Sequence, residues 1–280
     1  MKIGIVSRTD KEKAYEVISS IVQYLQENDI TIEIESRVCD KFTEFSEYTV
    51  DIDDMTSDIV LCIGGDGTVL YAQHHLSVKK IPILSINLGT VGFLTEVDLD
   101  DLFECLDKLL SYDFFVEERM QLDIECDDEW ITVLNELVIM TSQPSKMLDL
   151  RVNVDDEVID ELRSDGLIVS TPSGSTAYAM SAGGPIVDPR VDAALIIPIC
   201  PFKLNSRPKI VPSSSTITIT FKEDGKPGVA VLDGVTNKQY GYGDQIRIRK
   251  SETPACFVRF SKKFYESVNK KLTMDGQKNE

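Results

Sequence analysis

Hydrophobic positions in the first hundred residues alternate between two periods. Ile3-Gly4-Ile5-Val6 is a short apolar run of strand type. From Asp10, a residue suited to an N-cap, apolar side chains recur at Ala14, Val17, Ile18, Ile21, Val22 and Leu25, the spacing that lays one stripe along a helix. A second strand is predicted over Ile30 to Ile34, and the acidic stretch 40–57 reads as irregular. Ile59-Val60-Leu61-Cys62-Ile63 then runs without a polar side chain, as a central strand buried on both faces requires. Ile81 to Ile86 reads as a fourth strand, and Leu99, Leu102, Phe103, Leu106, Leu109 and Leu110 as a closing helix. Strands alternating with helices predict a parallel sheet with crossover helices.

Beyond about residue 115 the period falls to two, as in Leu122/Ile124/Cys126, Leu150/Val152/Val154, Ile217/Ile219/Phe221 and Ile246/Ile248. Such alternation between turn residues predicts an antiparallel, all-β domain. Phe264 to Leu272 returns to a helical pattern whose apolar face needs a partner surface. The expected organisation is an α/β N-terminal domain with a parallel sheet over 1–112, a β-rich C-terminal domain over 113–254, and a C-terminal helix over 255–280 packing back on the first. A length of 280 residues suits two domains. Residues 274–280 read as a frayed tail.

Composition narrows the partners. Against 29 Lys plus Arg stand 47 Asp plus Glu, a net charge of −18 that repels nucleic-acid backbones and anionic membrane surfaces. A small phosphorylated ligand stays compatible, because backbone amides and a divalent ion neutralise it locally; a well-solvated surface explains the acidity equally. The six cysteines lie far apart with no Cys-x-x-Cys pair, so neither a zinc site nor a redox motif is expected. No apolar run reaches the ~18 residues of a membrane span, and the N-terminal run is too short for a signal peptide. The expected location is cytoplasmic.

Three segments carry candidate chemistry. Gly64-Gly65-Asp66-Gly67-Thr68 follows the buried strand and precedes a helix-like segment, which puts it at the carboxyl edge of a parallel sheet, where ligands bind. Glycines there let the backbone approach a ligand, and amides of the turn point at phosphate oxygens. A carboxylate among such amides suits a magnesium contact or a base acting on a hydroxyl; a plain tight turn capped by Asp66 fits the same residues. The chain has no Gly-x4-Gly-Lys-[Ser/Thr] loop, no Gly-x-Gly-x-x-Gly fingerprint and no Gly-x-Ser-x-Gly elbow. Its only histidines are His74 and His75; His74, two helical turns after Asp66, suits the same pocket or the surface.

The second segment is Ser170-Thr171-Pro172-Ser173-Gly174-Ser175-Thr176-Ala177-Tyr178-Ala179-Met180-Ser181-Ala182-Gly183-Gly184-Pro185. Its hydroxyls offer donors and acceptors for sugar and base, and Tyr178 offers a ring for stacking; a turn-rich polar loop is the plainer reading. The third is Asn135-Glu136 inside an otherwise apolar strand, where a carboxylate needs a partner such as a ribose diol or an internal donor. Asp165-Gly166, with Arg163 just before it, is a similar polar insertion.

Taken in this order, the residues resemble the NAD kinase family over nearly the whole chain. The resemblance runs through the GGDGT block, Asn87-Leu88-Gly89 with Gly92-Phe93-Leu94, Asn135-Glu136, Asp165-Gly166, the hydroxyl-rich segment, Arg207-Pro208, Asp233-Gly234 and Phe264-Tyr265. GGDGT alone is shared with diacylglycerol-type lipid kinases, whereas the hydroxyl-rich segment downstream of it is specific. The resemblance implies a nucleotide-binding α/β domain, a β-rich domain that binds the dinucleotide, and a homodimer or homotetramer. It further implies ATP as phosphoryl donor, NAD as substrate and Mg2+ as the divalent metal. Asp66 would take a proton from the adenosine 2′-hydroxyl of NAD while the loop residues Gly65, Gly67 and Thr68 hold ATP phosphates, with His74 a further phosphate contact. Asn135 and Glu136 would hold ribose hydroxyls and adenine, and Arg163, Asp165, Ser173, Thr176, Ala177, Tyr178 and Ser181 would line the dinucleotide site. Val235 stands where a glutamine is common, and Ser173 where threonine is frequent. A lipid kinase would need an apolar substrate entrance, and a non-catalytic nucleotide sensor would have no use for Asp66.

Overall fold

The computed structural model describes residues 1–272 except 90, 91, 127, 128, 144, 204, 223–225, 263, 267, 270 and 271. The chain divides into two compact units, Met1–Glu118 with Ala255–Glu280, and Arg119–Pro254. The first unit begins with β1 (Lys2–Ser7), α1 (Glu12–Glu27), β2 (Thr31–Glu35), α2 (Ser36–Lys41) and β3 (Thr49–Val50). It continues with β4 (Ile59–Gly64), α3 (Asp66–Leu76), β5 (Ile83–Asn87), α4 (Leu102–Leu110) and β6 (Phe115–Arg119), whose last residue opens the second unit. The second unit runs β7 (Leu122–Cys126), β8 (Glu129–Val133), β9 (Glu136–Thr141), β10 (Leu148–Val154), β11 (Glu157–Ser164) and β12 (Gly166–Ser170). After the short helix α5 (Tyr178–Ser181) come β13 (Ala193–Ile199), β14 (Lys209–Pro212), β15 (Ile217–Phe221), β16 (Gly228–Leu232), β17 (Val235–Tyr240) and β18 (Gln245–Lys250). The chain then returns to the first unit with β19 (Ala255–Arg259).

The first sheet has the order β3-β2-β1-β4-β5-β19-β6, with parallel pairing from β3 through β19. After β1 the chain lays β2 and β3 on one side, then crosses back to lay β4 and β5 on the other. The crevice between the carboxyl ends of β1 and β4 is therefore the topological switch point, where loops diverge and leave room for a ligand. Every residue of β4 and β5 is buried, as the unbroken apolar run demands. The stripe Ala14, Val17, Ile18, Ile21, Val22 and Leu25 of α1 joins Ile3, Ile5, Leu61, Ile63, Leu106 and Val258 in one core. At ~25 cal/mol per Å2 of apolar area, that stripe supplies most of what holds so exposed a helix to the sheet.

Three expectations change here. Asp10 is not the N-cap of α1: that position belongs to Lys11, and the Asp10 carboxylate is held by Arg8 through two bonds of 2.6 and 2.5 Å. The stretch 40–57 is more ordered than its acidity suggested, because a 3-10 turn at Thr43–Tyr48 buries Phe45 and another at Ile52–Asp54 buries Ile52. Residues 255–259 are strand, not the start of a terminal helix: all five are buried, and Phe257 pairs with Ile83. Of the following segment, residues 264–266, 268, 269 and 272 are helical.

The second unit is a sandwich of two six-stranded sheets, ordered β11-β10-β15-β18-β7-β8 and β14-β13-β12-β9-β16-β17. All its pairings are antiparallel. Leu137, Ile139, Leu167, Val169 and Ile196 of the second sheet share a core with Ile124, Leu150, Val152 and Ile219 of the first. Their alternates Val138, Ile168, Leu195 and Ile197 point the other way, into a smaller cluster with Ala179 and Val187. Hence β9, β12 and β13 lack the period of two: the segment after β12 folds over the outer face, and both faces are buried. Among the described residues no helix is long and apolar enough to cross a membrane.

Candidate active site

Each unit carries a cluster of the residues singled out by sequence. In the first unit, Ser7 pairs with Ile63 and Gly64 with Asn87, so the ends of β1, β4 and β5 lie level at the carboxyl edge. Gly65 is the N-cap of α3, with no side-chain capping bond. Asp66, the first helical residue, turns its carboxylate to the loop after β5, where it accepts N–H bonds from Phe93 (2.8 Å) and Leu94 (3.0 Å). It is thus no helix cap. A Cβ on Gly92 would stand 2.0 Å from Asp66 Oδ1, so only glycine lets this loop close on the acid. Gly65 and Gly67 have nothing within 4 Å of a Cβ position, which leaves their backbone open to an incoming ligand. The Thr68 hydroxyl instead packs on Gly64, 2.2 Å from where its Cβ would be. His74 is exposed at the far end of α3, about 12 Å along the axis from Asp66, with its ring edge-on to His75. The fold does not bring His74 to the glycine loop.

In the second unit, the second cluster forms at one end of the second sheet. Glu136 opens β9, opposite Ser170 at the end of β12. The Asp233 carboxylate, in the turn between β16 and β17, accepts N–H bonds from Leu134 (2.6 Å), Asn135 (2.8 Å) and Glu136 (3.0 Å). Asp233 and Gly234 both have positive φ, 45° and 84°, the Asp-Gly hairpin that turns two strands in two residues. Asp233-Gly234 stood in the sequence only as part of the resemblance; the aspartate's reach to three amides ninety-odd residues earlier has no local signal.

With their amides occupied, Asn135 and Glu136 keep side chains that are each 6% exposed, yet Asn135 Oδ1 and Glu136 Oε2 have no hydrogen-bond partner. Burial, with the Asp233 charge second, pushes the Glu136 carboxyl up to about 8. Two orphaned acceptors side by side ask for donors from outside the chain, since a buried polar atom left unpaired is costly.

The hydroxyl-rich segment is used differently from the expectation. Ser170 donates to Asn135 O (3.2 Å), Thr171 to Leu134 O (2.6 Å), Ser175 to Pro172 O (2.6 Å) and Thr176 to Ser173 O (3.1 Å). These hydroxyls fasten the segment to the Asn135-Glu136 turn and to itself, so packing explains much of their density. Ser173 and Thr176 are buried beside that turn, Ala177 is half-buried, and Tyr178 and Ser181 are exposed on α5. Arg163 and Asp165 lie apart from all of these. Five residues of β12 separate Asp165 from the Ser170 end, roughly 17 Å of extended chain. There they border a cleft of about 480 Å3 with Lys146, Phe202 and Lys226.

A parallel sheet whose switch point opens on a glycine loop with a pinned acid, joined in one chain to a sandwich with orphaned acceptors, defines a nucleotide-handling protein. Family models give the assignment: the ATP-NAD kinase N-terminal domain matches residues 3–114, and the ATP-NAD kinase C-terminal domain matches residues 134–260. The NAD kinase of Methanosphaera stadtmanae is 69% identical over 272 residues, covering 97% of this chain and 99% of that one. That of Methanothermobacter thermautotrophicus is 47% identical, covering 99% and 98%. An Archaeoglobus fulgidus NAD kinase solved in complex with ATP is similar in structure, with TM-score 0.76 and 29% identity over 95% of this chain and 96% of that one. The fold is also that of a yeast NADH kinase complexed with NADH, with TM-score 0.89 and 24% identity over 98% of this chain and 87% of that one. The chain belongs to the ATP-NAD kinase family and is an enzyme.

Proposed function

We propose that the chain transfers the terminal phosphoryl group of ATP to the adenosine-ribose 2′-hydroxyl of NAD, giving NADP and ADP, with Asp66 as general base. The observation that carries this reading is the Asp66 carboxylate held by two loop amides at the mouth of the glycine loop. A carboxylate has about four acceptor sites, so two remain for a hydroxyl proton. In the step, the 2′-hydroxyl gives its proton to Asp66 as its oxygen bonds to the γ-phosphorus. The bond from that phosphorus to the β,γ-bridging oxygen breaks, and ADP leaves with the electron pair. The open backbone at Gly65 and Gly67 receives the donor phosphates.

Asn135 and Glu136 take donors from the dinucleotide, which pairs their orphaned oxygens. Ser173, Thr176, Ala177, Tyr178 and Ser181 border it on the same unit. Arg163 and Asp165, at the opposite end of β12, serve a dinucleotide held by a second copy, consistent with a homodimer or homotetramer. No group of three or more His, Cys, Asp or Glu fit to cage a metal occurs among the described residues. Mg2+ would come in on the triphosphate, keeping its waters and few protein ligands, and Asp66 at the glycine loop would be a carboxylate available to it. Bound there, the metal would neutralise the β- and γ-phosphates.

Incubating the chain with NAD, ATP and Mg2+ and detecting NADP tests the reading. No NADP from folded protein, or phosphate on a different hydroxyl, overturns it.

A further inference from the structure

Lys11 is a cation at the switch-point edge that has no side-chain hydrogen bond or ion pair among the described residues, its charge acting on the neighbouring Asp10. It is exposed at the N-cap of α1, in the loop that leaves β1. Its Nζ lies 3.5 Å from where a Cβ of Gly89 would stand, in the loop that leaves β5. In the sheet order β4 stands between β1 and β5, roughly 5 Å from each. A side chain reaching from the β1 loop to the β5 loop therefore crosses the carboxyl end of β4, the mouth of the Gly64–Gly67 turn. Its target is fixed: Asn87 ties the bend at Gly89, accepting its N–H (3.0 Å) and donating to its carbonyl (3.2 Å).

Two other cations near this edge, Arg8 and Arg37, are occupied. Arg8 is paired with Asp10, and Arg37 is paired with Glu35 and stacked 3.6 Å over the Tyr71 ring. Among the described residues Lys11 has no side-chain hydrogen bond or ion pair, although the chain carries eighteen more acidic than basic groups. An ammonium without a hydrogen bond or ion pair among the described residues of so acidic a protein, near backbone open at Gly65 and Gly67, is suited to an anion from outside. Lysine on its flexible stem is a compact point charge that follows phosphate oxygens as they move.

We propose that Lys11 pairs with the terminal phosphate of the phosphoryl donor as it lies on the glycine loop, so that it binds the donor and not the acceptor. The inference rests on the reading above that a triphosphate occupies that loop. Its test is the full chain carrying Lys11→Met, Lys11→Glu or Lys11→Arg, with folding checked by circular dichroism. A β,γ-imido analogue of ATP and AMP are each titrated directly onto every variant, and KM is measured for ATP and for NAD.

Lys11→Met is expected to weaken the triphosphate analogue and raise the ATP KM by about tenfold, with Lys11→Glu worse and Lys11→Arg close to the parent. AMP affinity and the NAD KM are expected to stay within about twofold, because neither ligand presents the terminal phosphate. Unchanged analogue affinity in folded Lys11→Met, or equal weakening of AMP, overturns the assignment without reference to turnover. Failure of the parent chain to form NADP strikes instead at the proposed reaction.

Discussion

The two units hold their acids in opposite ways. In the first, Asp66 is clamped by its surroundings: two amides of the Gly92–Leu94 loop fix both oxygens, one bond each, and a neighbouring Cβ is excluded to make room. In the second, that treatment goes to Asp233, which takes three amides, and the acid beside it is left bare, with one Glu136 oxygen buried and unpartnered. An acid clamped by backbone keeps its place without a ligand, as a group meeting a reacting atom must. An acid orphaned by burial is completed only when a ligand arrives, as suits a group that selects what binds.

The most direct way to break this contrast is to remove the charge from the clamped acid. Asp66→Asn keeps the size but offers one acceptor where two amides need one each, so either Phe93 or Leu94 loses its bond. Turnover is expected to fall by about 10²–10⁴, with NAD and ATP affinity nearly intact, in steady-state and equilibrium titrations. Near-normal kcat would remove Asp66 from the role of base. Gly92→Ala leaves the carboxylate in place chemically but drives a methyl 2.0 Å from Oδ1, so the acid must swing away. A displacement of that order costs about 10²-fold in kcat, and Gly92→Ser should do no better. If Gly92→Ala matched the parent, the position of Asp66 would not matter to the rate.

How much of this was legible follows from what local sequence can encode. The order of strands, the central β4 and the glycine loop came from apolar runs and glycine spacing, which are short-range signals. The switch point needed the sheet order, which no period reveals. Ser170, Thr171, Ser175 and Thr176 read as ligand groups because a hydroxyl carries no mark of which way it turns; their carbonyl partners at 134, 135, 172 and 173 appear only once β9 and β12 are paired. For the same reason Arg163 and Asp165 read as neighbours of Thr176 although β12 holds them apart. Gly92 stood in the sequence as part of a resemblance, and its physical reason is a contact with a side chain twenty-six residues earlier.

Next in size is the clamp of the second unit. Asp233→Ala strands three amides and puts a Cβ-bearing residue without a local hydrogen bond at φ 45°, together expected to cost about 3 kcal/mol. Trp130, the only tryptophan, lies on β8 of the same unit beneath Arg249, so urea unfolding followed by its fluorescence reads this unit. Asp233→Asn, which tolerates positive φ and keeps one acceptor, should lose about half as much. Equal stability of Asp233→Ala and parent would show that the turn at 134–136 stands without its clamp.

The smallest effect is the one that separates the two acids by chemistry. Glu136 has its carboxyl pushed up to about 8 by burial and by Asp233, so near neutral pH it is mostly protonated in the free enzyme. A ligand that donates to the carboxylate favours the ionised form, so it must displace a proton at pH 7 and none at pH 9. NAD affinity is then expected to rise by about tenfold between those values, with proton uptake by buffer at the lower one, as paired calorimetric titrations in buffers of different ionisation enthalpy would read. Fold stability moves the other way. With the folded value above the ordinary glutamate value of 4.5, the folded chain holds a proton that the unfolded chain gives up, so this contribution is whole below about 4.5 and is lost as pH rises through about 8. Glu136→Gln should flatten both dependences, holding weak NAD affinity and removing the alkaline loss of stability. An NAD affinity that falls as pH rises would mean that the protonated carboxyl is the donor, and the orphaned oxygen would then be reading an acceptor on the ligand.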